Sequence, residues 1–439
     1  MEDKYFPKVL IVGHYPGDFS GVSITLYNLF SQWPPEKLFV ASCDPINKML
    51  SKRVSHYYHF GHNESRIRLF GYFSRSKNVS QILSLETDKL CEMLNSNSNK
   101  TRLLTKANSH NFIKSLLRKT GISFILRKYC VSQDFLKWIQ NLKPDIIFTM
   151  LGDVSTMDFA IELKNKTGLK LAVYILDDWV HANPANTLFP KIWGSAFSKK
   201  FEKVLKFSDI NLVICEKMAY EYSCIYKKNF LYFHNPVDIT LFKHYNQKDH
   251  DKFIISYLGK INRETLEGLK DLVFALNLLG NPNILLYIYP GTESNYLNKL
   301  VVNNKNIQIK KYIPHSNIQL VYQNSDLLFL PLGFTKKSRR YTRLSMPTKT
   351  TEYMASMVPI LLYAPPEIAL TEYALNNNFA IILSEKSPLK LKLIIEDIYN
   401  GKINTDLIIK NAYTLAQEKH NMEFICESFR KALSGESIA

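Results

Sequence analysis

Residues 345–352, which read SMPTKTTE, gather hydroxyl, ammonium and carboxylate groups that suit a phosphorylated nucleoside. The hydrogen-bond donors among them are Ser345, Thr348 and Lys349. Pro347 predicts a helix start, because proline is favoured in the first turn of a helix. The unpaired amides and the dipole of a helix start favour a phosphate. Glu352 follows about one turn later, where a carboxylate can accept both hydroxyls of a ribose.

A second set of acids lies in residues 175–181, which read ILDDWVH and follow a predicted strand. A carboxylate of Asp177 or Asp178 at this position can orient an acceptor hydroxyl or take its proton. The alternative is a helix N-cap followed by a core tryptophan. The residue types do not choose between the two acids. His14 and His181 are interpreted as packing or hydrogen-bonding residues, and Asp44 and Asp153 as structural.

The elements that position these residues alternate between buried strands and amphipathic helices, which predicts parallel sheets covered on both faces. Strands are predicted at 8–13, 145–150, 171–176, 211–215, 230–233, 253–258, 284–289, 327–330 and 359–363. Each half opens with a strand, a glycine turn and a helix. We therefore expect an α/β protein with two Rossmann-like, doubly wound domains that face one another across a cleft. Ligands in such sheets bind outside the carboxyl ends of the strands.

The domain boundaries follow from composition and from the recurrence of this pattern. The predicted parts are an N-terminal domain (1–240) with a basic insertion (66–133), a linker (241–252), a C-terminal domain (253–408) and a last helix (409–439). The insertion is expected to carry one or two basic amphipathic helices. The last helix either closes the second domain or crosses back to the first.

The charge balance favours anionic ligands, since the formal net charge is +17. No Asp or Glu occurs in residues 93–133, which hold eight Lys or Arg. A second acid-free stretch, 327–351, contains Lys336, Lys337, Arg339, Arg340, Arg343 and Lys349. Such patches indicate contact with phosphates or anionic lipid, or simply a solvated basic face. Nucleic acid is not expected as a partner, because no recognition motif accompanies the charge.

The order of these pieces resembles the GT-B glycosyltransferases, in particular the large retaining family that uses nucleotide sugars. Residues 345–352 resemble the donor-site segment of that family, and the resemblance implies that the domain 1–240 is on the acceptor side and that the domain 253–408 binds the donor. Residues 13–21, which end at Gly21, resemble the glycine loop of its first domain. Residues 258–263 resemble the loop whose basic residues, here Lys260 and Arg263, hold the donor diphosphate. Residues 208–238 resemble the passage into its second domain.

The resemblance implies an enzyme that moves a sugar from a nucleotide-diphosphate sugar to an acceptor hydroxyl with retention of configuration. It implies that basic side chains, and not a cofactor, meet the charge of the leaving diphosphate, and the residues show no metal-ligand cluster. One departure concerns the first of two glutamates that the family often carries. Leu344 stands at that position, eight residues before Glu352, so the residue that contacts the sugar is unassigned.

The expected partners and location follow from the same features. The basic amphipathic insertion suggests an anionic membrane surface and, with it, a glycan or lipid-linked acceptor of surface polysaccharide or oligosaccharide synthesis. Scattered cysteines and the lack of a signal peptide or spanning segment predict a cytoplasmic protein, peripheral on the inner face of the plasma membrane. Two alternatives stay open: a nucleotide-sugar epimerase of the same fold, and a non-catalytic nucleotide-sugar-binding partner.

Overall fold

The computed structural model describes most of the chain and divides it into two compact units. The described residues are 4–14, 16–17, 20–43, 53–69, 72–75, 80–84, 109–242, 251–291, 305–311, 313 and 317–437. Unit 1 comprises Met1–Phe233 and Cys426–Ala439, and unit 2 comprises His234–Ile425. Much of the predicted linker (243–250), parts of the predicted insertion (70–71, 76–79 and 85–108) and residues 15, 18 and 19 of the glycine loop lie outside the described residues.

The described residues of unit 1 form two sheets. The strands of the larger one are β1 Val9–Val12, β2 Leu38–Ser42, β3 His56–His59, β6 Gln81–Ser84, β8 Ile146–Met150, β9 Lys170–Ile175, β10 Ile210–Val213 and β11 Leu231–Tyr232. Their order is β11-β10-β9-β8-β1-β2-β3-β6, and all are parallel except β6, which pairs antiparallel with β3. The smaller, antiparallel sheet has the order β5-β4-β7, formed by Tyr72–Arg75, Ser65–Leu69 and Arg127–Tyr129.

Helices cover the larger sheet, as the continuous apolar runs of its central strands require. Those of unit 1 are α1 Gly21–Leu29, α2 Ser109–Thr120, α3 Gln133–Leu142, α4 Val154–Thr167, α5 Trp179–Ala185, α6 Pro190–Phe207 and α7 Glu216–Tyr226. All four residues of β1 and all five of β8 are buried. Polar side chains cap several helix starts: Ser20 accepts from Ser23 N at α1, and Asp153 from Thr156 N at α4.

The prediction for the insertion was incomplete. It contains helix α2, as expected, but also the antiparallel sheet of β4, β5 and β7 and the edge strand β6. The residues of β4 read SRIRL, and from Arg66 onwards polar and apolar side chains alternate, which is the period of a strand.

Unit 2 is built on a six-stranded sheet in which every pairing is parallel. Its strands are β12 Phe253–Gly259, β13 Ile284–Pro290, β14 Ile307–Ile309, β15 Leu327–Pro331, β16 Ile360–Tyr363 and β17 Ile381–Leu383. Their spatial order is β14-β13-β12-β15-β16-β17. The direction of winding therefore reverses between β12 and β15, and a ligand crevice is expected at the carboxyl ends of these two strands.

The helices of unit 2 complete the doubly wound pattern. They are α8 Arg263–Leu279, α9 Ile318–Gln323, α10 Lys336–Thr342, α11 Lys349–Ala355, α12 Ala369–Asn377, α13 Pro388–Tyr399 and α14 Asp406–Lys419. Helix α8 approaches the sheet closely at Gly268, where an added Cβ would lie 2.5 Å from Pro331 Cβ. The leucines of its inner face join a core that includes β12, β13 and β15.

The C-terminal segment is two helices and not the single helix that the sequence predicted. Helix α15, Met422–Ser434, follows α14 after a break at His420 and Asn421. The break is held within unit 2, because Val237 bridges Asn421 and accepts a hydrogen bond from Met422 N at 2.9 Å. From Cys426 onwards the chain belongs to unit 1, where Phe429 packs against Phe30 with ring centroids 5.1 Å apart. Among the described residues, no helix is long and apolar enough to cross a membrane.

Candidate functional site

The turn after β12 is shaped by Gly259, whose φ of +148° lies in the region that favours glycine. A Cβ here would lie 3.2 Å from Lys349 Cε and 3.3 Å from the Tyr257 hydroxyl. Gly291 N donates to the Gly259 carbonyl at 3.0 Å and closes the turn against the end of β13. The backbone of this turn therefore lies directly against the stem of Lys349.

The predicted diphosphate loop continues from this turn into α8. Lys260 is exposed, and its carbonyl accepts hydrogen bonds from the hydroxyls of Tyr257 (2.9 Å) and Thr265 (3.1 Å). Asn262 caps α8 by accepting from Thr265 N at 3.1 Å. Arg263 is the first helical residue, and its side chain lies outside the described residues. The structure thus places the Lys260 ammonium in solvent beside a capped helix start.

The predicted helix start at Pro347 is wrong by two residues, since α11 begins at Lys349. Pro347 instead opens the preceding turn, in which its carbonyl accepts from Thr350 N at 2.9 Å. Proline suits this position equally well, because a fixed φ near −65° is compatible with both a turn and a first helical residue. The buried Ser345 hydroxyl donates to the Tyr341 carbonyl at 3.4 Å, and the Thr348 carbonyl accepts from Asn235 Nδ2 at 3.1 Å.

Lys349 and Glu352 lie on the same side of α11, at the carboxyl edge of the sheet. Burial lowers the pKa of the half-buried Lys349, and the nearby Glu352 carboxylate opposes that shift. Glu352 is 4% exposed and accepts a hydrogen bond from the Tyr322 hydroxyl at 2.7 Å. Leu258 N donates to the Tyr353 hydroxyl at 3.2 Å, which fixes α11 to the end of β12. The structure therefore brings Lys349, Glu352 and the Gly259 turn together.

Three residues that hold this site were not singled out from the sequence. Asn235 fixes the Thr348 carbonyl, Tyr322 orients Glu352, and Tyr353 joins α11 to β12. Each acts across a long sequence separation, so no local pattern marks it. Only Asn235 belongs to a sequence feature that was noted, the Asn-Pro turn at 235–236, and this turn was interpreted as part of the passage into the second domain.

The basic stretch before residue 345 forms helix α10 and the turn after it. Lys336, Arg339, Arg340 and Arg343 line a cavity at the carboxyl edge of the same sheet, together with Phe334 and Glu367. Lys337 is not among its lining residues. Leu344 is fully buried, so the position where the resembling family often has an acid contributes to the core.

In unit 1, the two candidate acids after β9 have different environments. Asp177 is half-buried, whereas Asp178 is 2% exposed. Asp178 stands at the N-cap position of α5, but its carboxylate makes no capping bond to the helix amides. It accepts from the Tyr222 hydroxyl at 2.9 Å and contacts His181 Nδ1 at 2.5 Å. The buried Asp178 thus holds His181 in place, and Asp177 is the more accessible carboxylate.

The rest of this network fixes both ring nitrogens of His181. Tyr226 Oη lies 3.0 Å from His181 Nε2, and burial and the Asp178 charge raise the pKa of Tyr226. Trp179, the core tryptophan considered from the sequence, donates from Nε1 to the Leu151 carbonyl at 2.7 Å. Gly21, the predicted donor-loop glycine, is the exposed first residue of α1 and accepts from the Thr25 hydroxyl at 2.9 Å.

Within the described residues, no group of three or more His, Cys, Asp or Glu is arranged to hold a metal ion. The residues present at the two sites are basic donors around a glycine turn in unit 2 and acids with a histidine in unit 1.

Comparison with known proteins identifies the class. Residues 238–415, which lie within unit 2, match the family model of the glycosyl transferases group 1. No curated protein matches the sequence. Among solved structures, HepE of Anabaena in complex with UDP and glucose is similar with a TM-score of 0.63 and 12% identity, covering 98% of this chain and 99% of that chain.

Two further structures have the same fold. Sucrose-phosphate synthase of Thermosynechococcus elongatus is similar with a TM-score of 0.59 and 12% identity, over 98% of this chain and 100% of that chain. WaaG, a glycosyltransferase involved in lipopolysaccharide biosynthesis, gives a TM-score of 0.53 and 10% identity, over 97% and 100%. The fold is that of the GT-B glycosyltransferases, with two Rossmann-like units. With a group 1 domain in unit 2, the chain is a glycosyltransferase.

Proposed function

We propose that the protein transfers a sugar from a nucleotide-diphosphate sugar to an acceptor hydroxyl, with retention of the anomeric configuration. The observation that carries the proposal is the meeting of the Gly259 turn, Lys349 and Glu352 at the carboxyl ends of β12 and β15. This is the point of strand reversal at which doubly wound sheets bind nucleotides. Glu352, oriented by Tyr322, is the proposed acceptor of the ribose hydroxyls.

The same edge offers groups for the leaving diphosphate. Glycine at 259 lets the backbone come close to a phosphate, and the ammonium groups of Lys260 and Lys349 supply positive charge. The lowered pKa of Lys349 reflects a partly dehydrated ammonium, which gains more from an anionic partner than a fully hydrated one. Because these side chains meet the charge, we propose that no metal or other cofactor is needed, so activity should survive excess EDTA.

On the acceptor side, we propose that Asp177 orients the acceptor hydroxyl or takes its proton. Its half-exposed position after β9 supports this role. The buried Asp178 supports a positioning role instead, since its carboxylate is engaged by Tyr222 and His181. This division assigns one task to each acid of the pair.

A surface of unit 1 supports a lipid-linked acceptor at an anionic membrane. We call it the apolar–basic face and define it by Leu116, Ile122, Ile125, Leu188, Phe189, Ile192, Arg118, Lys119 and Lys191. All nine side chains are exposed, with Leu188, Phe189 and Ile192 at 62%, 51% and 67%. Its two segments are joined, because Leu188 N donates to the Lys119 carbonyl and Trp193 Nε1 to the Thr120 carbonyl, both at 2.8 Å.

Neither segment of this face carries an acid: residues 93–133 and 179–201 contain no Asp or Glu. Exposed large apolar side chains ringed by basic ones are suited to the interface of an anionic bilayer. The proposed acceptor is therefore a lipid-linked glycan of cell-surface polysaccharide or oligosaccharide synthesis, used at the inner face of the plasma membrane.

Vesicle partitioning tests the membrane part of the proposal. The protein should bind phosphatidylglycerol-containing vesicles and not pure phosphatidylcholine. Replacing Arg118, Lys119 and Lys191 by glutamine should weaken binding about a hundredfold, at about 1 kcal/mol per charge. Phe189→Ser combined with Ile192→Ser should also weaken vesicle binding. The matched control is Leu389→Ser combined with Leu393→Ser, at exposed apolar residues of unit 2, and it should leave vesicle binding unchanged. Equal binding by all variants would exclude this face as the contact.

Product analysis tests the reaction itself. With a labelled nucleotide sugar and a membrane extract as the source of acceptor, label should move to the acceptor and nucleoside diphosphate should be released. The donor alone should be hydrolysed slowly, with its sugar unchanged. A changed sugar without acceptor would indicate an epimerase, and binding without any turnover would indicate a non-catalytic partner.

A further inference from the structure

Two loops of unit 2 leave its sheet at the carboxyl edge, one after β12 and one after β15. The two strands are neighbouring and parallel, with Ile255 opposite Leu327. The direction of winding reverses between them, so a ligand crevice at this edge has the two loops as its walls. The loop after β12 contains the Gly259 turn. The loop after β15 comprises residues 332–335, and we call it the β15 loop.

The β15 loop leaves the sheet at Gly333. Leu332 N still donates to the Tyr363 carbonyl of β16 at 2.9 Å. Gly333 lies against the first turn of α8, because an added Cβ would be 3.0 Å from the Glu264 carbonyl and 2.7 Å from Ser338 Oγ. The absence of a side chain at this position therefore lets the β15 loop pack directly on the helix that follows β12.

A single carboxylate of α8, that of Glu267, holds the rest of the β15 loop. Phe334 N and Thr335 N both donate to Glu267 Oε2, at 2.7 and 3.1 Å. Hydrogen bonds from amides to an ionised carboxylate are about twice as strong as those between neutral groups. The two bonds join the loop after β15 to the helix after β12, across the point at which the winding reverses.

The other oxygen of Glu267 has a partner as well. Lys386 Nζ lies 2.6 Å from Glu267 Oε1, and the lysine side chain is 48% exposed. Burial disfavours the charged form of Glu267, but the hydrogen bonds from Lys386 and from the two loop amides lower its pKa, so the carboxylate is ionised at neutral pH. A solvent-exposed ion pair contributes little by itself. The bonds to the amides are therefore the contacts that hold the β15 loop.

We propose that Glu267 is a positioning residue for the donor: it keeps the β15 loop in the place where the loop forms one wall of the nucleotide-sugar site. The inference rests on the proposed function, which puts the nucleoside diphosphate at the Gly259 turn and Lys349. Both oxygens of Glu267 are engaged within the protein, so it acts through the backbone of Phe334 and Thr335. Its removal should release the β15 loop and leave the rest of the site unchanged.

Hydrogen–deuterium exchange followed by mass spectrometry tests whether Glu267 holds the loop. A peptide that covers residues 332–337 reports on the two bonded amides, which should exchange slowly in the wild type. Glu267→Ala should speed their exchange about tenfold or more, the range of a hydrogen bond to a charged group. Glu267→Gln should keep most of the protection, because its carboxamide oxygen can accept the same bonds. Lys386→Gln should leave the exchange unchanged, since the lysine does not contact the loop amides.

Titration calorimetry tests whether the position of the loop matters for the donor. The wild type is titrated with UDP, GDP, CDP, ADP and dTDP, and the nucleotide that binds most tightly is used for every variant. Glu267→Ala should weaken its binding about tenfold or more, because a displaced wall loses its contacts with the ligand. Glu267→Gln should restore the affinity to within about threefold of the wild type, and Lys386→Gln should bind as the wild type does.

Two further variants separate positioning from stability. Leu272→Ala removes a fully buried side chain from the same helix, so it lowers the stability of unit 2 without contacting the β15 loop. At a temperature at which circular dichroism shows every variant to be folded, it should keep the wild-type affinity. Gly333→Ala should weaken binding as Glu267→Ala does, because its methyl group displaces the loop from Glu264.

The outcomes separate this inference from the proposed function. Exchange that is unchanged in Glu267→Ala, or a released loop with undiminished nucleotide affinity, overturns the inference and leaves the proposed function standing. Weakening by Leu272→Ala equal to that by Glu267→Ala would also overturn it, because loss of stability alone would then explain the result. A wild type that binds none of these nucleotides overturns the proposed function and, with it, the inference.

Discussion

At the residue scale, position and burial divide the candidate side chains into those that are held and those that are offered to a ligand. Glu352 and Asp178 are both buried carboxylates that accept a tyrosine hydroxyl, from Tyr322 and Tyr222 respectively. A buried charge keeps its place only when such partners satisfy it. Lys260 and Asp177, in contrast, retain solvent access.

The division between Asp177 and Asp178 leads to a prediction about stability. Asp178→Asn should lower the free energy of unfolding by about 2 kcal/mol, because it weakens the charged hydrogen bonds to Tyr222 and His181. Asp177→Asn, at a half-exposed position, should change it by less than about 0.5 kcal/mol. Urea unfolding followed by tryptophan fluorescence measures both. Equal destabilisation by the two variants would contradict the roles assigned to the pair.

At the element scale, a glycine in one helix lies against the sheet, whereas a glycine in another helix faces open space. Gly268 of α8 faces Pro331 and Tyr363, and an added Cβ would lie 2.5 and 3.3 Å from their side chains. Gly194 of α6 has no atom within 4 Å of the same position. Helix α8 is packed against the carboxyl ends of β15 and β16 at this contact.

Substitution of the two glycines by alanine should therefore change the stability of the protein in opposite directions. Gly268→Ala should destabilise unit 2 by about 1–3 kcal/mol, because the new methyl group forces α8 away from β15. Gly194→Ala should be neutral or stabilising by up to about 1 kcal/mol, since alanine is favoured in helices. Circular dichroism during thermal unfolding provides the comparison. Stabilisation by Gly268→Ala would show that α8 does not pack as described.

The individual strands and helices also show how much of the fold could be predicted from the sequence. Strands β1, β8, β12 and β15 were confirmed, because their continuous apolar runs are typical of buried parallel strands. Strands β2 to β7, β14 and β17 were not among the predicted strands. Strands β4 to β7 lie in a segment whose basic composition does not resemble the apolar run of a buried strand. The start of α11 was predicted two residues early, since proline fits a turn as well as a first helical residue.

The sequence predicted several residues of the candidate site, but it did not predict the contacts that hold them in place. Glu352 and Lys349 were identified from spacing and residue type, and the structure brings them to the Gly259 turn. Tyr322, Tyr353 and Asn235 hold them there through contacts that depend on the packed fold. Such contacts join residues that are far apart in the sequence and produce no periodic pattern in it, so they could not be predicted.

At the scale of the whole molecule, a pair of buried histidines joins the beginning of unit 2 to its end. His234 Nδ1 and His420 Nδ1 are 3.1 Å apart, and His420 Nε2 lies 2.9 Å from the Tyr373 hydroxyl. Burial lowers the pKa of His234 to about 4, with the charge of Lys419 adding to the shift. The pKa of His420 is lowered well below its ordinary value for the same reasons and because of His234.

These pKa directions predict that unit 2 loses stability in acid. Between about pH 6.5 and pH 4 the unfolded chain binds protons that the folded histidines do not. The free energy of unfolding should therefore fall by up to about 1.4 kcal/mol per pH unit for each histidine. His234→Asn should make this dependence shallower, as measured by circular dichroism of urea unfolding at a series of pH values.

The distribution of tryptophan supplies an internal control for that measurement. All four tryptophans, Trp33, Trp138, Trp179 and Trp193, belong to unit 1. Their fluorescence therefore follows unit 1, whose acid dependence should not change with His234→Asn. A pH dependence of the circular dichroism signal that is the same with and without His234 would contradict the role given to the pair.

The central claim is that a nucleoside diphosphate binds at the edge where Gly259, Lys349 and Glu352 meet. Thermal unfolding against a panel of nucleoside diphosphates, with wild type and Glu352→Ala in parallel, tests it most directly. One nucleotide, at a hundredfold excess over its Kd, should raise the unfolding temperature of the wild type by about 5 °C or more. The same nucleotide should have little effect on Glu352→Ala. Stabilisation that is equal in both proteins, or a wild type that responds to no nucleotide, would contradict the account.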